Sequence, residues 1–229
     1  MAHVSRESYI HDNLNAVQLR ISKACEASGR SASDITLIAV TKNYPASDVQ
    51  ILTDLGLSNF GENRDQEGRE KSAVINAHWH FQGQIQSNKI ASIASWAQTV
   101  HSLDEARHVE KFARAIPGGK KLEVFIQVAL DGSPGRGGVG EQSLVQMADL
   151  VISFPSLTLK GLMAVAPLGE DPDRAFARLA TIHSKFIRKF PDSCALSAGM
   201  SLDYESAIAH GATHVRIGSS ILGSRTNPL

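Results

Sequence analysis

Cysteine is nearly absent from this chain: only Cys25 and Cys194 occur in 229 residues. They lie far apart and neither belongs to a C-x-x-C pair, which excludes a disulfide framework and a dithiol motif. Each is expected to be a small buried or half-buried thiol. Excess charge of one sign is missing too. Lys+Arg and Asp+Glu both number 23, and no long basic run offers the phosphate-neutralising surface of a nucleic-acid binder. No apolar stretch approaches the ~20 residues of a bilayer-spanning helix. The opening MAHVSRE is polar and contains no secretory apolar core, so the chain is expected to be cytoplasmic. Inter-domain linkers, low-complexity tracts and G-x-S-x-G elbows are likewise lacking. What remains, 42% hydrophobic and 20% charged residues, is the make-up of an ordinary packed domain.

The chain begins with a helical pattern. Ile10, Leu14, Val17, Ile21 and Ala24 recur at spacings of four and three and form one apolar stripe, which stops near Gly29. The run Ile35-Thr36-Leu37-Ile38-Ala39-Val40 then reads as a strand buried on both faces of a parallel sheet. Further short apolar runs fall near 58–60, 79–82, 98–101, 122–128, 157–163, 194–196 and 214–217. Helical patterns alternate with them at about 46–55, 63–75, 87–96, 103–115, 141–153, 172–190 and 202–210. The clearest is 172–190, where Phe176, Leu179, Ile182, Phe186 and Phe190 keep the 3/4 spacing. Eight strand–helix units predict a (β/α)8 TIM-type barrel over 35–229, preceded by an extra N-terminal helix within 1–30, all as one domain. A doubly wound open sheet is the alternative, because local patterns do not report closure. The glycine-rich stretch 130–140 is expected to be an irregular loop after the fifth strand.

In a parallel barrel the chemistry lies at the C-terminal ends of the strands. Those ends carry Lys42, then Gly61-Glu62-Asn63, His80 with Gln82 and Gly83, and His101-Ser102. Gly161-Leu162-Met163, Ser197-Ala198-Gly199-Met200-Ser201 and Arg216-Ile217-Gly218-Ser219-Ser220 complete the set. The last two are small-residue clusters after strands seven and eight, where backbone N–H groups can approach an anion. Barrels commonly bind phosphate at this station. Lys42 is either a rim residue with its charge in water or a partly desolvated amine. Closure would put strand eight beside strand one, bringing Lys42 next to the phosphate loops and Arg216. Desolvation and a neighbouring cation both favour the neutral, imine-forming amine. His78 and His80 share a strand face, but no third metal ligand is evident. Gly135-Arg136-Gly137-Gly138 lacks the lysine of a nucleotide-binding loop.

These residues resemble the pyridoxal phosphate homeostasis proteins, whose barrel is similar to the N-terminal barrel of alanine racemase. The resemblance is carried by AVTKNYP (39–45), FGENRDQE (60–67), WHFQGQIQSNK (79–89), VHSLD (100–104), GLMAVAP (161–167), LSAGMSLD (196–203) and VRIGSSILGSR (215–225). It implies pyridoxal 5′-phosphate (PLP) bound as a Schiff base on Lys42. It also implies phosphate contacts at Ser197, Ser201, Gly218 and Ser219, Arg216 facing the pyridine nitrogen, and Asn63 and Met163 near the ring. Thr41 and Ala198 depart conservatively from the family's serine and methionine. The 130–138 loop lacks the Glu/Lys-containing sequence of many relatives, so no role is carried over there.

The function implied is a non-catalytic carrier that buffers the reactive aldehyde and delivers it to PLP-dependent apo-enzymes, as a monomer or weak dimer. Two enzyme readings stand beside it. An amino-acid racemase needs an acid/base group on each face of the substrate. In alanine racemases one comes from a C-terminal domain of the partner subunit, which a chain stopping at Leu229 is not expected to supply. Arginine at the ring nitrogen also makes the ring a poorer electron sink. An imine-forming aldolase would need an acid/base group near Lys42, for which Glu62 is available.

Overall fold

A computed structural model describes residues 5–131 and 137–223. The first helix, α1 (Arg6–Ala27), starts where the Ser5 side chain accepts from the Ser8 amide, and the chain turns away at Gly29, φ +66°. Its buried stripe is Ile10, Leu14, Val17, Ile21 and Cys25. The last contact thus keeps the four-residue spacing and uses Cys25 in place of the expected Ala24. The other thiol, Cys194, is exposed rather than half-buried.

Eight strands follow: β1 (Thr36–Val40), β2 (Asn59–Glu62), β3 (His78–Phe81), β4 (Thr99–Leu103), β5 (Leu122–Gln127), β6 (Leu157–Met163), β7 (Ala195–Ser197) and β8 (His214–Ile217). The intervening helices are α2 (Ala46–Asp54), α3 (Asp65–Ser72), α4 (Ile90–Trp96), α5 (Ala106–Ala115), α6 (Leu144–Ile152), α7 (Pro172–Lys189) and α8 (Tyr204–Ala209), with α9 (Ser219–Leu222) after β8. All pairings are parallel, and β1 pairs with β8 through Thr36↔His214 to Ala39↔Ile217. The sheet is therefore a closed barrel, and the open-sheet alternative is ruled out.

Helix α1 lies outside the β8–β1 seam. Arg6 pairs with Asp48 of α2, Arg20 with Glu205 of α8, and the Asn13 amide donates to the Ile221 carbonyl of α9. No helix among the described residues is long and apolar enough to cross a membrane.

Two backbone features shape the mouth of the barrel. Between Val124↔Leu159 and Phe125↔Gly161 the β5–β6 register shifts by one residue, leaving Lys160 as a bulge. Gly161 absorbs it at φ +153°, where a Cβ would stand 1.9 Å from the Ala195 carbonyl oxygen. After β5, residues 132–136, Arg136 among them, lie outside the description. The described returning limb is not wholly irregular, however. Val139 bridges Val128, with the Val139 amide donating to the Gln127 carbonyl. The last two residues of the expected 215–225 stretch also lie outside the described residues.

Candidate functional site

At the C-terminal ends of the strands the barrel opens into a cavity of about 880 Å³. Lys42, Asn63, Met163, Ser201, Arg216, Gly218 and Ser219 all line it. Ser197 does not: it is fully buried beneath the floor.

Lys42 sits one residue beyond a tightly held position. The Thr41 amide donates to the Gly61 carbonyl, and the Tyr44 amide closes a turn on the Thr41 carbonyl. Asn43 adopts φ +63°, a left-handed conformation that asparagine tolerates. Its amide donates to Glu67 Oε2 at 2.6 Å. Lys71 Nζ, from α3, donates to the Thr41 carbonyl (2.8 Å) and to Glu62 Oε1 (2.6 Å), and the Thr41 hydroxyl donates to that same oxygen (2.6 Å). Glu62 is fully buried, and burial pushes its carboxyl pKa up despite Lys71 and Thr41. Among the described residues its Oε2 has no partner. Glu62 does not line the cavity, so the acid/base position that an aldolase would need is not where this carboxylate lies.

Beside the Lys42 turn, across the β1–β8 pairing, the β7 and β8 loops run side by side. Ser201 Oγ accepts from the Gly218 and Ser220 amides, both at 3.3 Å, and the Ser220 hydroxyl donates back to the Ser201 carbonyl. Gly199 turns the chain at φ +91°, and a Cβ there would come within 2.7 Å of Tyr204 Cα. A Cβ on Gly218 would lie 3.0 Å from the Val40 carbonyl oxygen. This glycine thus serves the close approach of β8 to β1 as well as access from the cavity.

Arg216 forms the floor. Its neighbours Val215 and Ile217 face the apolar layer, as strand alternation requires. Its Nη1 donates to Ser197 Oγ (2.6 Å) and its Nη2 to the Ala164 carbonyl (3.0 Å). Burial lowers its pKa to about 10, which still leaves a cation at neutral pH.

Residues 13–226 match the family described as "Alanine racemase, N-terminal domain". The chain is 40% identical over 247 residues to the pyridoxal phosphate homeostasis protein of Mycobacterium bovis, covering 98% of this chain and 96% of that one. It is 39% identical to the protein of the same name from Corynebacterium glutamicum, covering 91% and 99%. A solved structure, PipY of Synechococcus elongatus with PLP bound, superposes with a TM-score of 0.77 at 29% identity, covering 89% of this chain and all of the other. This chain belongs to the pyridoxal phosphate homeostasis family.

Several residues of this family member escaped the strand-end reading. Asp104 and Gln127 fall outside the strand-end set, yet they line the same cavity, as does Gln82, which that set contains without a role. Burial raises the Asp104 pKa, and Gln82 Nε2 has no partner among the described residues. Lys71 lies in the last turn of α3, away from every strand end, and its i,i+4 spacing from Glu67 is the one local signal it carries. His78 and His80 do share the barrel interior, with ring centroids 4.7 Å apart. Both nitrogens of His80 are taken, however, by His101 and Asn59. Among the described residues one other group, Asp104, Glu105 and His108, gathers three ligand-type atoms within 4.8 Å of one another.

Proposed function

We propose that this protein holds PLP as a Schiff base on Lys42 and serves intracellular PLP homeostasis and delivery to PLP-dependent apo-enzymes, without being an enzyme. The observation that carries this reading is a single cavity combining an amine, a buried cation and converging backbone N–H groups. Lys42 projects from a turn fixed by Lys71, Glu62 and Glu67. Ser201, Gly218 and Ser219 would take the phosphate. The Gly218 and Ser220 amides now donate to a neutral hydroxyl at 3.3 Å, beyond the usual N–H···O range. A phosphate oxygen is a stronger acceptor for such donors. Arg216 would face the ring nitrogen, with Asn63 and Met163 along the ring. Ser197 receives no phosphate role here, because its hydroxyl is committed to Arg216.

Bound in this way, the cofactor supplies an electrophilic aldehyde and an electron-accepting ring. The residues present restrain that chemistry. Arg216 at the ring nitrogen would keep it unprotonated, and the buried carboxylate at the end of β2 is paired with Lys71 away from the cavity. The family relatives, named for homeostasis and not for a reaction, support a carrier.

Borohydride reduction of the protein mixed with PLP, followed by peptide mass spectrometry, tests the reading. A pyridoxyl adduct on Lys42, lost in Lys42→Ala, is expected. A label on Lys71, Lys89 or Lys160 in place of Lys42 would overturn the assignment.

A further inference from the structure

Behind Arg216 the barrel interior contains a line of polar side chains that the proposed carrier role does not use. It starts at Arg216 on β8, crosses to Ser197 on β7, then to His101 on β4 and His80 on β3, and ends at Asn59 on β2. The links are 2.6, 2.8, 2.9 and 3.1 Å. Interiors of such barrels are ordinarily packed with branched aliphatic residues, so four polar links in series call for a reason.

The direction of the links follows from the two ends: Arg216 can only donate and Asn59 Oδ1 can only accept, which puts the protons of the neutral rings on His80 Nε2 and His101 Nε2. Ser197 Oγ is thus the acceptor from Arg216. At the other end His80 Nε2–H donates to Asn59 Oδ1, which leaves His80 Nδ1 unprotonated to accept from His101 Nε2–H. His101 Nδ1 is then unprotonated in turn and accepts the serine's own proton. Each donor meets an acceptor, with both imidazoles neutral.

The surroundings favour that charge state. Phe125 stacks on His101, with centroids 4.5 Å apart and planes 15° apart. His214 stands edge-on to both rings. His78 on β3, Lys160 on β6 and Arg216 on β8 add positive or ionisable neighbours, and Glu123 on β5 is the carboxylate facing them, paired with Lys160. Burial holds His80 and His101 well below the usual histidine range, with Arg216 opposing charge on His101.

We infer that Ser197, His101 and His80 are positioning residues that lock the Arg216 guanidinium in one orientation at the cavity floor through this one-way hydrogen-bond chain anchored on Asn59. A free arginine side chain samples many rotamers, and ordering it on binding costs entropy. The chain removes that freedom before any ligand arrives. Two of the five guanidinium N–H groups are spent on Ser197 and Ala164, and the rest of the group lies at the cavity floor. The consequence for ligand rests on the PLP reading above; the tautomers do not.

Two measurements separate these levels. Long-range proton–nitrogen NMR on the full chain without added PLP should show His101 and His80 both as neutral Nε2–H tautomers between about pH 8 and 5.5. A charged ring or an Nδ1–H tautomer in either would overturn the chain, whatever the protein binds. The second measurement is a PLP titration followed by visible absorbance. His101→Phe keeps the stack on Phe125 but removes the acceptor, while His101→Asn retains an acceptor near the Nδ1 position. The loss expected in His101→Phe is about tenfold in PLP affinity, the upper scale of one neutral hydrogen bond. It should come with an altered pH profile of the visible band, and His101→Asn should recover most of it. Ser197→Ala cuts the same chain with a smaller side chain and covers the case of a misfolded phenylalanine variant. It should lose a similar amount, without adding to the His101 effect in the double variant. Parent-like affinity and pH profile in folded His101→Phe or Ser197→Ala would overturn the positioning role. If the parent binds no PLP, the cofactor reading fails and the NMR result alone decides this one.

Discussion

Lys71→Met tests the support beneath Lys42. The ammonium group makes three contacts: Glu62 Oε1 at 2.6 Å, the Thr41 carbonyl at 2.8 Å and Glu67 Oε2 at 3.5 Å. Methionine fills similar space without charge or donors. Glu62, with no exposed surface, would then keep only the Thr41 hydroxyl. Stranding one member of a buried ion pair costs about 3–5 kcal/mol. Protonation of Glu62 limits that cost, which makes the deficit depend on pH. The folded pKa of Glu62 already lies above the ordinary carboxylate value, and loss of Lys71 raises it further. Between the unfolded and folded pKa values the native state binds more protons than the unfolded chain. Stability therefore falls as pH rises through that window, by up to ~1.4 kcal/mol per unit. Urea unfolding near pH 5, 6.5 and 8 should show a deficit that is smallest at pH 5 and largest at pH 8. Lys71→Met/Glu62→Gln should be more stable than Lys71→Met at pH 8 and flat across the range. A deficit below about 1 kcal/mol at pH 8, or one equal at all three pH values, would refute the reasoning, since a surface pair contributes no more than that.

Gly161→Ala should destabilise the barrel by ~3 kcal/mol or more in thermal or urea unfolding, because its Cβ would stand 1.9 Å from the Ala195 carbonyl oxygen at φ +153°. Loaded with PLP and assayed over a panel of amino acids, the parent protein should racemise or transaminate far below the ~1–10³ s⁻¹ of enzymes. Turnover within that range on any one amino acid would return the chain to the enzyme readings.

The sequence by itself determined the order of elements and most of the site's address. The Ile10-to-Ile21 spacing, the β1 run and the glycine and serine clusters after β7 and β8 are local signals, set by the 3.6- and 2-residue periods and by which residues tolerate tight turns. Those signals placed Lys42, Asn63, Met163, Ser201, Arg216, Gly218 and Ser219 at or near strand ends, the resemblance to the homeostasis family singled them out, and they meet in one cavity. Only the tertiary structure decided closure, because the β1–β8 hydrogen bonds join residues about 180 positions apart. It also decided what each polar side chain faces. Ser197 belongs to a phosphate-type cluster in sequence, yet strand alternation and closure turn its hydroxyl inward beneath Arg216. Glu62 and Lys71 sit on different elements and become a pair only when α3 packs back against the barrel. His80 and His101 carry no mutual signal in the chain. They meet because β3 and β4 are neighbours and their inward-facing rings share the one interior that Ser197 and Arg216 reach from the far wall.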